Sequence, residues 1–368
     1  MAERTPLHGE HIAAGARLVD FGGWEMPLQY SSIRDEHLAV RKVAGLFDLS
    51  HMGRVRVRGA AEPFLQRLLT NDIAIPAGRA VYTLMCRDDG GVIDDLVVYR
   101  EAEDVFMLVI NAANREKDLA WIGAHAASAR VTVDDQTREI ALLALQGPRA
   151  QELLPAAGCD LDAIPYFGFS SGDLAGAPAL ISRTGYTGED GFELFVPAEN
   201  AVAAWRAILM AGKEAGVRPC GLGARDTCRL EAGLRLYGND MDESTDPYEA
   251  GLGWTVKLAK GDFVGSAVLE ERKARGAEHA MVGLLGKERT IPRHGMEVAV
   301  SGERIGTVTS GTYSFFLDRG IGMASVAKGR APAGTDLELD PDRRPGLAEA
   351  VALPIYRGSV RAPKPVRK

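Results

Sequence analysis

The chain contains the same short pattern twice. Residues 54–69, RVRVRGAAEPFLQRLL, and residues 139–154, EIALLALQGPRAQELL, each read as a strand, a glycine, and a helix that begins near a proline and ends in Leu-Leu. A pattern that returns in this form indicates a duplicated βα unit. The chain is therefore expected to carry two related halves that mix strands with helices.

The residues between the two copies predict an antiparallel meander. Three strand-like runs, VYTLMCR, GGVIDDLVVYR and DVFMLVINAA, are joined by the turn signals DDGG and EAED. Outside this region, Ser32 is a plausible cap for a helix that ends at Gly45, and residues 177–197 predict a hairpin with a glycine-rich bend. From about His279 the short alternating runs with frequent glycine indicate an all-β domain, either a small barrel or a sandwich.

Composition excludes several classes of function. The chain has 368 residues, 46% of them hydrophobic, with a formal net charge of −7 and no block of like charges, so nucleic acid is an unexpected partner. No signal peptide and no run long enough to span a membrane are recognised. Four scattered cysteines indicate reduced thiols. We expect a cytoplasmic protein, or one of the mitochondrial matrix if a transit peptide has been removed.

Several familiar site patterns fail on inspection. GYTGEDG lacks the Lys-Ser/Thr of a phosphate-binding loop, and GLGARD has Asp226 where a dinucleotide fingerprint needs its third glycine. His8 and His11 have a spacing compatible with a metal site, but an exposed polar N-terminus is the favoured interpretation, and no metal is expected. No serine lies in a nucleophile elbow.

Two adjacent carboxylates interrupt an apolar strand at Asp94 and Asp95. Alternation places Asp94 with Leu96 on one face and Asp95 with Val97 on the other, and both faces are apolar. Desolvation raises the pKa of a carboxyl group unless a cation or hydrogen-bond donors hold its charged form, so such a group can exchange a proton near neutral pH. The alternative is structural, with one aspartate capping a loop and the other paired to a lysine.

Motif order across nearly the whole chain resembles the glycine cleavage system T-protein family of tetrahydrofolate-dependent aminomethyltransferases. The resemblance rests on segments that follow in the family's order: TPLHGEHIAAGARLVDFGGWEMPLQY, FDLSHMG, GGVIDDLVVY, NAANREKD, RTGYTGEDGFELF, CGLGARDTCRLEAGLRLYGNDMDE, TSGTYS and IYRGSVR. It implies an α+β fold, with two intertwined, duplicated folate-binding subdomains around a central cavity, followed by a β-barrel. The corresponding boundaries are 1–277, with one subdomain centred on about 53–135, and 278–368.

The resemblance also implies the activity. The family moves an aminomethyl carbon from the lipoyl arm of H protein to tetrahydrofolate and releases ammonia, 5,10-methylenetetrahydrofolate and dihydrolipoyl H protein. Two rival readings use the same scaffold: a folate-dependent demethylase, and a non-enzymatic folate-binding module, which the intact motif set disfavours.

Site residues follow from the resemblance by position. Asp94 matches the acid that orients the folate and assists proton movement, with Asp95 structural on the opposite face. Glu193 matches the carboxylate that accepts hydrogen bonds from the pterin. Arg225 matches a site arginine, with a structural salt bridge as its alternative.

The remaining implied positions lie around the folate. The cavity side chains are Met52, Tyr82, Asn111 and Tyr186, with core packing as the alternative for Met52; Tyr356 and Arg357 close over the folate tail. Phe315 and Phe316 depart from the family's usual sequence after TSGTYS, and the LPIYR segment also differs, so access and C-terminal contacts are expected to differ.

Overall fold

The computed structural model describes residues 2–154, 158–342 and 346–360. The helices are α1 (His8–Ala13), α2 (Ile33–Lys42), α3 (Ala61–Leu68), α4 (Arg115–Ala126), α5 (Ala150–Leu153), α6 (Ala201–Gly212), α7 (Leu222–Glu231) and α8 (Ser266–Arg275). The strands before the barrel are β1 (Arg17–Phe21), β2 (Trp24–Gln29), β3 (Gly45–Asp48), β4 (Gly53–Gly59), β5 (Arg79–Cys86), β6 (Val92–Ala102), β7 (Val105–Ile110), β8 (Val131–Asp135), β9 (Ile140–Gln146), β10 (Phe169–Leu174), β11 (Ala177–Ser182), β12 (Gly191–Pro197) and β13 (Arg218–Pro219). The barrel strands are β14 (His279–Gly286), β15 (Glu297–Val300), β16 (Glu303–Ser314), β17 (Arg319–Ala327), β18 (Asp336–Leu339) and β19 (Gly346–Val351).

The predicted duplication is confirmed by the order of the elements. The first half runs β4-α3-β5-β6-β7-α4-β8, and the second runs β9-α5-β10-β11-β12-α6-β13. The first sheet has the strand order β5-β6-β7-β4-β8, and the second has β10-β11-β12-β9-β3-β13. The second sheet therefore repeats the first with one addition: β3, which precedes the first half in the chain, is inserted between β9 and β13.

Local sequence signals account for the framework of both halves. The Ser32 side chain accepts a hydrogen bond from the backbone N–H of Asp35, so it caps α2 as predicted. The meander β5-β6-β7 is antiparallel throughout, and β11 pairs with β12 around the glycine-rich bend at 183–190. Each sheet is thus built mainly from neighbours in sequence, joined by short turns.

The two sheets pack face to face. Their shared core contains Tyr99 and Val109 from the first sheet and Leu142, Ala144 and Phe195 from the second, all of them buried. On its other face each sheet is covered by its own helices, α3 and α4 for the first and α5 and α6 for the second. The site described below lies between the sheets, where both halves contribute side chains.

The C-terminal strands close into a barrel in the order β14-β17-β16-β15-β18-β19, with β19 paired to β14. Leu230 of α7 packs with Ile321 and Met323 of the barrel. Beside this contact, the buried carboxylate of Glu231 bonds to His37, to Arg41 and to Ser314 of the barrel. An apolar contact and a buried polar network therefore hold the barrel against the first two sheets.

The N-terminal segment differs from its prediction. His11 is buried rather than exposed: its Nε2 lies 2.9 Å from Oδ2 of Asp48, and its Nδ1 lies 2.9 Å from the Tyr30 hydroxyl. His8 instead contacts Glu25 at 2.8 Å. The two histidines thus serve different carboxylates, because α1 packs inward rather than lying free. No helix within the described ranges is long and apolar enough to cross a membrane.

Candidate active site

Strand β6 carries Asp94 and Asp95 on opposite faces, and the structure reverses the predicted assignment of those faces. Leu96 and Val98 belong to the core beneath helices α3 and α4, whereas Val97 and Tyr99 face the core between the sheets. Alternation places Asp94 with the helix-facing set and Asp95 with the set between the sheets. The prediction that Asp94 faces the cavity is wrong, because alternation separates two apolar faces without showing which one meets the other sheet.

Asp94 is a fully buried acceptor. It receives hydrogen bonds from the backbone N–H of Asn111 at 3.1 Å, from Nδ2 of Asn111 at 2.9 Å and from Nδ2 of Asn114 at 2.6 Å. These asparagines flank the short turn that leads from β7 into α4. Asp94 therefore fixes the start of α4 against β6.

Asp95 is held from two sides but keeps accessible surface. The Tyr82 hydroxyl donates to its Oδ2 at 2.9 Å, and Nδ2 of Asn111 donates to its Oδ1 at 2.9 Å. Burial and the neighbouring charge of Asp94 raise the pKa of Asp95 to about 7, although the two hydrogen bonds oppose the rise. Asp95 is therefore a carboxyl group that can gain or lose a proton near neutral pH.

Tyr186 and Arg225 extend the site toward the second half. The Arg225 guanidinium lies 4.6 Å from the centroid of the Tyr186 ring. Both side chains keep some accessible surface, yet burial is the main cause that raises the pKa of Tyr186 and lowers the pKa of Arg225. Accessible surface combined with strong desolvation indicates that they face an enclosed space. The charge of Asp95 also acts on the Tyr186 hydroxyl, so the two groups are close enough to interact.

The Arg225 guanidinium makes no ion pair or hydrogen bond with another side chain in the described ranges, although the charge of Glu193 acts on it. The Arg225 backbone N–H bonds to the carbonyl of Gly221 at the start of α7. The described residues therefore do not show the structural salt bridge that was the alternative interpretation of Arg225. An arginine with unused donors at a cavity is suited to an anionic or acceptor group of a ligand.

Glu193, on β12, presents one oxygen to the protein and leaves the other open. Its Oε2 accepts from the hydroxyl of Tyr99 at 3.1 Å and from the hydroxyl of Thr184. For Oε1, no donor is found among the residues that the structure describes, and Glu193 is only partly buried. The carboxylate is therefore anchored through one oxygen and can accept from a ligand through the other.

A cavity of about 450 Å³ adjoins this cluster. Tyr186 and Arg225 form part of its wall, α7 and the β1-β2 hairpin form another part, and the barrel closes a third side. The hairpin and α2 supply apolar side chains, including Phe21, Leu28 and Ile33. A cavity of this size with an apolar wall and a few polar groups is typical of small-molecule sites.

The other predicted site residues lie in different parts of the structure. Met52 is partly buried against the core between the sheets, and Asn111 bridges the two aspartates. Tyr356 packs under the Arg41 guanidinium, 4.6 Å from its ring centroid, and contacts Phe316. Arg357 is exposed, and its side chain makes no hydrogen bond or ion pair with the described residues. Contacts and charge interactions thus connect Tyr82, Asn111, Tyr186, Glu193 and Arg225 around Asp95. Of these, Tyr186 and Arg225 line the cavity, whereas neither Asp94 nor Arg357 does.

Sequence reasoning missed four residues around Asp95. Asn114 and Asp118 lie behind the strand, Tyr99 orients Glu193, and the largely exposed Trp254 stacks on Tyr82 with ring centroids 5.8 Å apart. Tyr99 shares the face of Asp95 by strict alternation, so it carried a usable signal. Asn114 and Asp118 lie in the NAANREKD segment that also contains Asn111, so their motif was recognised but their roles were not. Trp254 comes from a segment distant in sequence and had no such signal.

Comparisons with known proteins agree with this architecture. The GCVT N-terminal domain matches residues 7–260, and the glycine cleavage T-protein C-terminal barrel domain matches residues 280–357. An aminomethyltransferase of Geobacillus kaustophilus is 50% identical over 97% of this chain and 99% of its own length. An aminomethyltransferase of Bacillus subtilis is 47% identical over 97% of this chain and 100% of its own.

A solved structure shows the same fold. The crystal structure of glycine cleavage system aminomethyltransferase T from Bartonella henselae superposes with a TM-score of 0.91 at 34% identity, covering 98% of this chain and 99% of that one. The chain therefore belongs to the glycine cleavage T-protein family. Its activity is that of an aminomethyltransferase of the glycine cleavage system, and the demethylase alternative is not favoured.

Proposed function

We propose that this chain transfers an aminomethyl carbon from the lipoyl arm of an H protein to tetrahydrofolate, and that Asp95, rather than Asp94, is its acid–base residue. The observation that carries the assignment is the position of Asp95 between Tyr82 and Asn111, on the face of β6 that meets the second sheet. A general base works best when its pKa lies near the working pH, and Asp95 meets that condition. Asp94 has its oxygens occupied by amide donors and is closed off from ligand.

The surrounding residues fit a reduced pterin. Tetrahydrofolate supplies the amine nitrogens that receive the carbon. The open Oε1 of Glu193 suits the amino and ring N–H donors of a pterin, and Tyr82, Tyr186 and Met52 offer apolar and aromatic surface for its ring. Arg225, beside the Tyr186 ring, contributes a positive charge to the site, which favours anionic or electron-rich groups of a ligand.

Within that site, Asp95 has a defined task. In its ionised form it accepts a proton at a carboxylate oxygen while Tyr82 and Asn111 hold the carboxylate in place. The two hydrogen bonds stabilise the charged form, so the proton is passed on easily once accepted. Asn111 thereby has two duties, since the same Nδ2 also bonds to Asp94.

The H protein and the location are further parts of the proposal. An apolar-walled cavity that begins at Tyr186 and Arg225 fits the aliphatic chain of a lipoyl arm as well as a folate tail. The relatives named above come from bacteria, which supports a cytoplasmic location here. Tyr356 and Arg357 are retained as proposed contacts of the folate tail, supported only by the family resemblance.

One reconstitution tests the proposal. Purified protein is mixed with H protein carrying the aminomethyl-lipoyl group and with tetrahydrofolate, and methylenetetrahydrofolate is measured with each component omitted in turn. We expect product only when all three are present. Product formed from a free N-methyl amine without H protein would contradict the proposed donor, and product without tetrahydrofolate dependence would contradict the proposed acceptor.

A further inference from the structure

A third carboxyl group lies behind the strand that carries Asp94 and Asp95. Asp118, on α4, is fully buried, and neither of its side-chain oxygens has a hydrogen-bond donor among the described residues. Its carboxyl group is within hydrogen-bonding range of the carboxyl group of Asp94. Buried polar atoms without a partner are costly, so this arrangement needs a physical explanation.

A proton between the two carboxyl groups supplies that explanation. Asp94 already accepts three amide hydrogen bonds, so it is the better place for a negative charge. Those amide N–H groups also disfavour a bound cation, because they present positive hydrogens where a cation would sit. If Asp118 keeps its proton, its O–H donates to Asp94, and the pair carries one charge instead of two.

The groups around the pair do not remove the need for this proton. Lys117, the neighbour of Asp118 on α4, is engaged by the carbonyl of Ile93, the hydroxyl of Tyr237 and Glu243, at 2.8, 2.8 and 3.2 Å. Lys117 lowers the pKa of Asp118 somewhat, but burial, Asp94 and, more weakly, Asp95 outweigh it and raise the pKa of Asp118 to about 10. On the other side of the strand, Tyr82 and Tyr186 are the titratable groups that face Asp95.

We propose that Asp118 is kept as a neutral acid that donates a hydrogen bond to Asp94, so that the dyad of these two carboxyl groups holds a single negative charge behind the strand. Through Asn111, this charge sets the proton affinity of Asp95. Asn111 makes the connection, because one Nδ2 group lies 2.9 Å from Oδ1 of Asp94 and 2.9 Å from Oδ1 of Asp95. Asp118 is thus a positioning residue. It acts through Asp94 and touches no reacting atom.

The single charge has a consequence for Asp95. With no charge in the dyad, Asp95 would lose a proton more readily and become a weaker base; with two charges, it would hold its proton too tightly. The role in catalysis rests on the proposed function of Asp95. The protonation state of Asp118, however, can be measured without turnover, so the two ideas can fail separately.

The first experiment detects the proton on Asp118. Infrared difference spectra between the wild type and Asp118→Asn are recorded in D2O at about pH 8.5, above the titration of Asp95 and below that of Asp118. We expect the carbonyl stretch of a protonated carboxylic acid in the wild type and its loss in Asp118→Asn. The exposed Asp104, in the turn after β6, provides a control, because Asp104→Asn should keep the band. A wild type without that band would overturn the proposal.

A second measurement does not depend on that band. A folded state that holds one more proton than the unfolded state makes the unfolding constant of the wild type rise about tenfold per pH unit relative to Asp118→Asn between about pH 5 and 8. Parallel pH dependence of the two proteins would show that Asp118 is ionised when folded and would overturn the proposal.

The third measurement tests the effect on Asp95. The acid band lost in Asp95→Asn identifies its titration, which is then followed in Asp94→Asn and Asp118→Asn. We expect the Asp95 midpoint to fall by about one pH unit or more in Asp94→Asn, where the charge is removed, and to stay within about 0.3 unit of wild type in Asp118→Asn. A shift in Asp118→Asn as large as that in Asp94→Asn would mean that Asp118 carries charge, contrary to the proposal.

Discussion

The Tyr82 hydroxyl donates a hydrogen bond to Oδ2 of Asp95 over 2.9 Å, from the strand next to the one that carries the acid. This bond favours the ionised carboxylate and so lowers a pKa that burial raises. Tyr82→Phe removes the bond and keeps the ring. We expect the acid limb of the pH–rate profile, near pH 7 in the wild type, to move upward by about one unit. An unmoved limb would show that Asp95 does not govern the profile.

Asp95→Asn should abolish most turnover while leaving the fold intact. Asparagine keeps the size and polarity of the side chain but accepts no proton in this role. General acid–base assistance is worth about a hundred- to ten-thousandfold, which sets the expected loss in single-turnover transfer to tetrahydrofolate. Folate binding and the urea midpoint, measured on the same protein, should change little. Wild-type turnover in Asp95→Asn would show that Asp95 is not the acid–base residue.

Asp94→Asn should act first on stability. The new amide group would face three amide N–H groups with only one acceptor atom, so donors would be left without partners. Such a loss costs about 1 to 3 kcal/mol of unfolding free energy, measured by urea denaturation. Asp95→Asn is the matched comparison on the adjacent position. Equal stability of the two variants would contradict the difference in their surroundings.

Glu193→Ala should weaken folate binding more than it alters chemistry. The open Oε1 is the proposed acceptor for pterin donors, and a charge-assisted hydrogen bond is worth about 1.5 to 3 kcal/mol, so the Kd should rise roughly ten- to a hundredfold. Calorimetry with tetrahydrofolate measures it. Tyr99→Phe is the control, since it removes only a bond to Oε2 and should have a smaller effect. Unchanged affinity in Glu193→Ala would take this residue out of the site.

Glu231→Gln should destabilise the junction with the barrel. Burial opposes ionisation of Glu231, but the hydrogen bond from His37 and the charge of Arg41 outweigh it and lower its pKa. Breaking a buried pair typically costs about 3 to 5 kcal/mol. Because the pKa is lowered, this stability is present at neutral pH and is lost as the pH falls below the usual carboxyl range, so the difference from wild type should shrink in acid.

An exposed pair provides the contrast for that prediction. Glu152 of α5 bonds at the surface to Arg149, the residue just before this helix, so Glu152→Gln should change the urea midpoint little. A similar cost for Glu152→Gln and Glu231→Gln would show that burial does not distinguish the two pairs.

The sequence was most informative where structure is local. The strand–glycine–helix repeat predicted the duplication because both copies carry their own turn and helix signals, and Ser32 predicted its cap because capping involves residues three apart. The β-sheet meander followed from turn residues between apolar runs. These features depend on neighbours in the chain, which a single sequence displays.

The site depended on contacts that the sequence does not display. Asp94 and Asp95 differ only in which apolar face meets the second sheet, and that is decided by residues such as Phe195, far along the chain. His11 looked like a surface residue because nothing nearby in sequence indicates Asp48 as its partner. Asp118 drew no notice for the same reason, since a lone aspartate on a helix is usually solvated.

The position of strand β3 limits when the second sheet can form during synthesis of the chain. This strand is made before the whole first half, but its sheet neighbours, β9 and β13, are made after that half. The native sheet hydrogen bonds of Gly45–Asp48 with Ile140–Gln146 can therefore form only after Ile140–Gln146 has emerged from the ribosome. A fragment that starts at residue 53 lacks β3, and a cut between the two halves leaves β3 in one piece and its sheet neighbours β9 and β13 in the other.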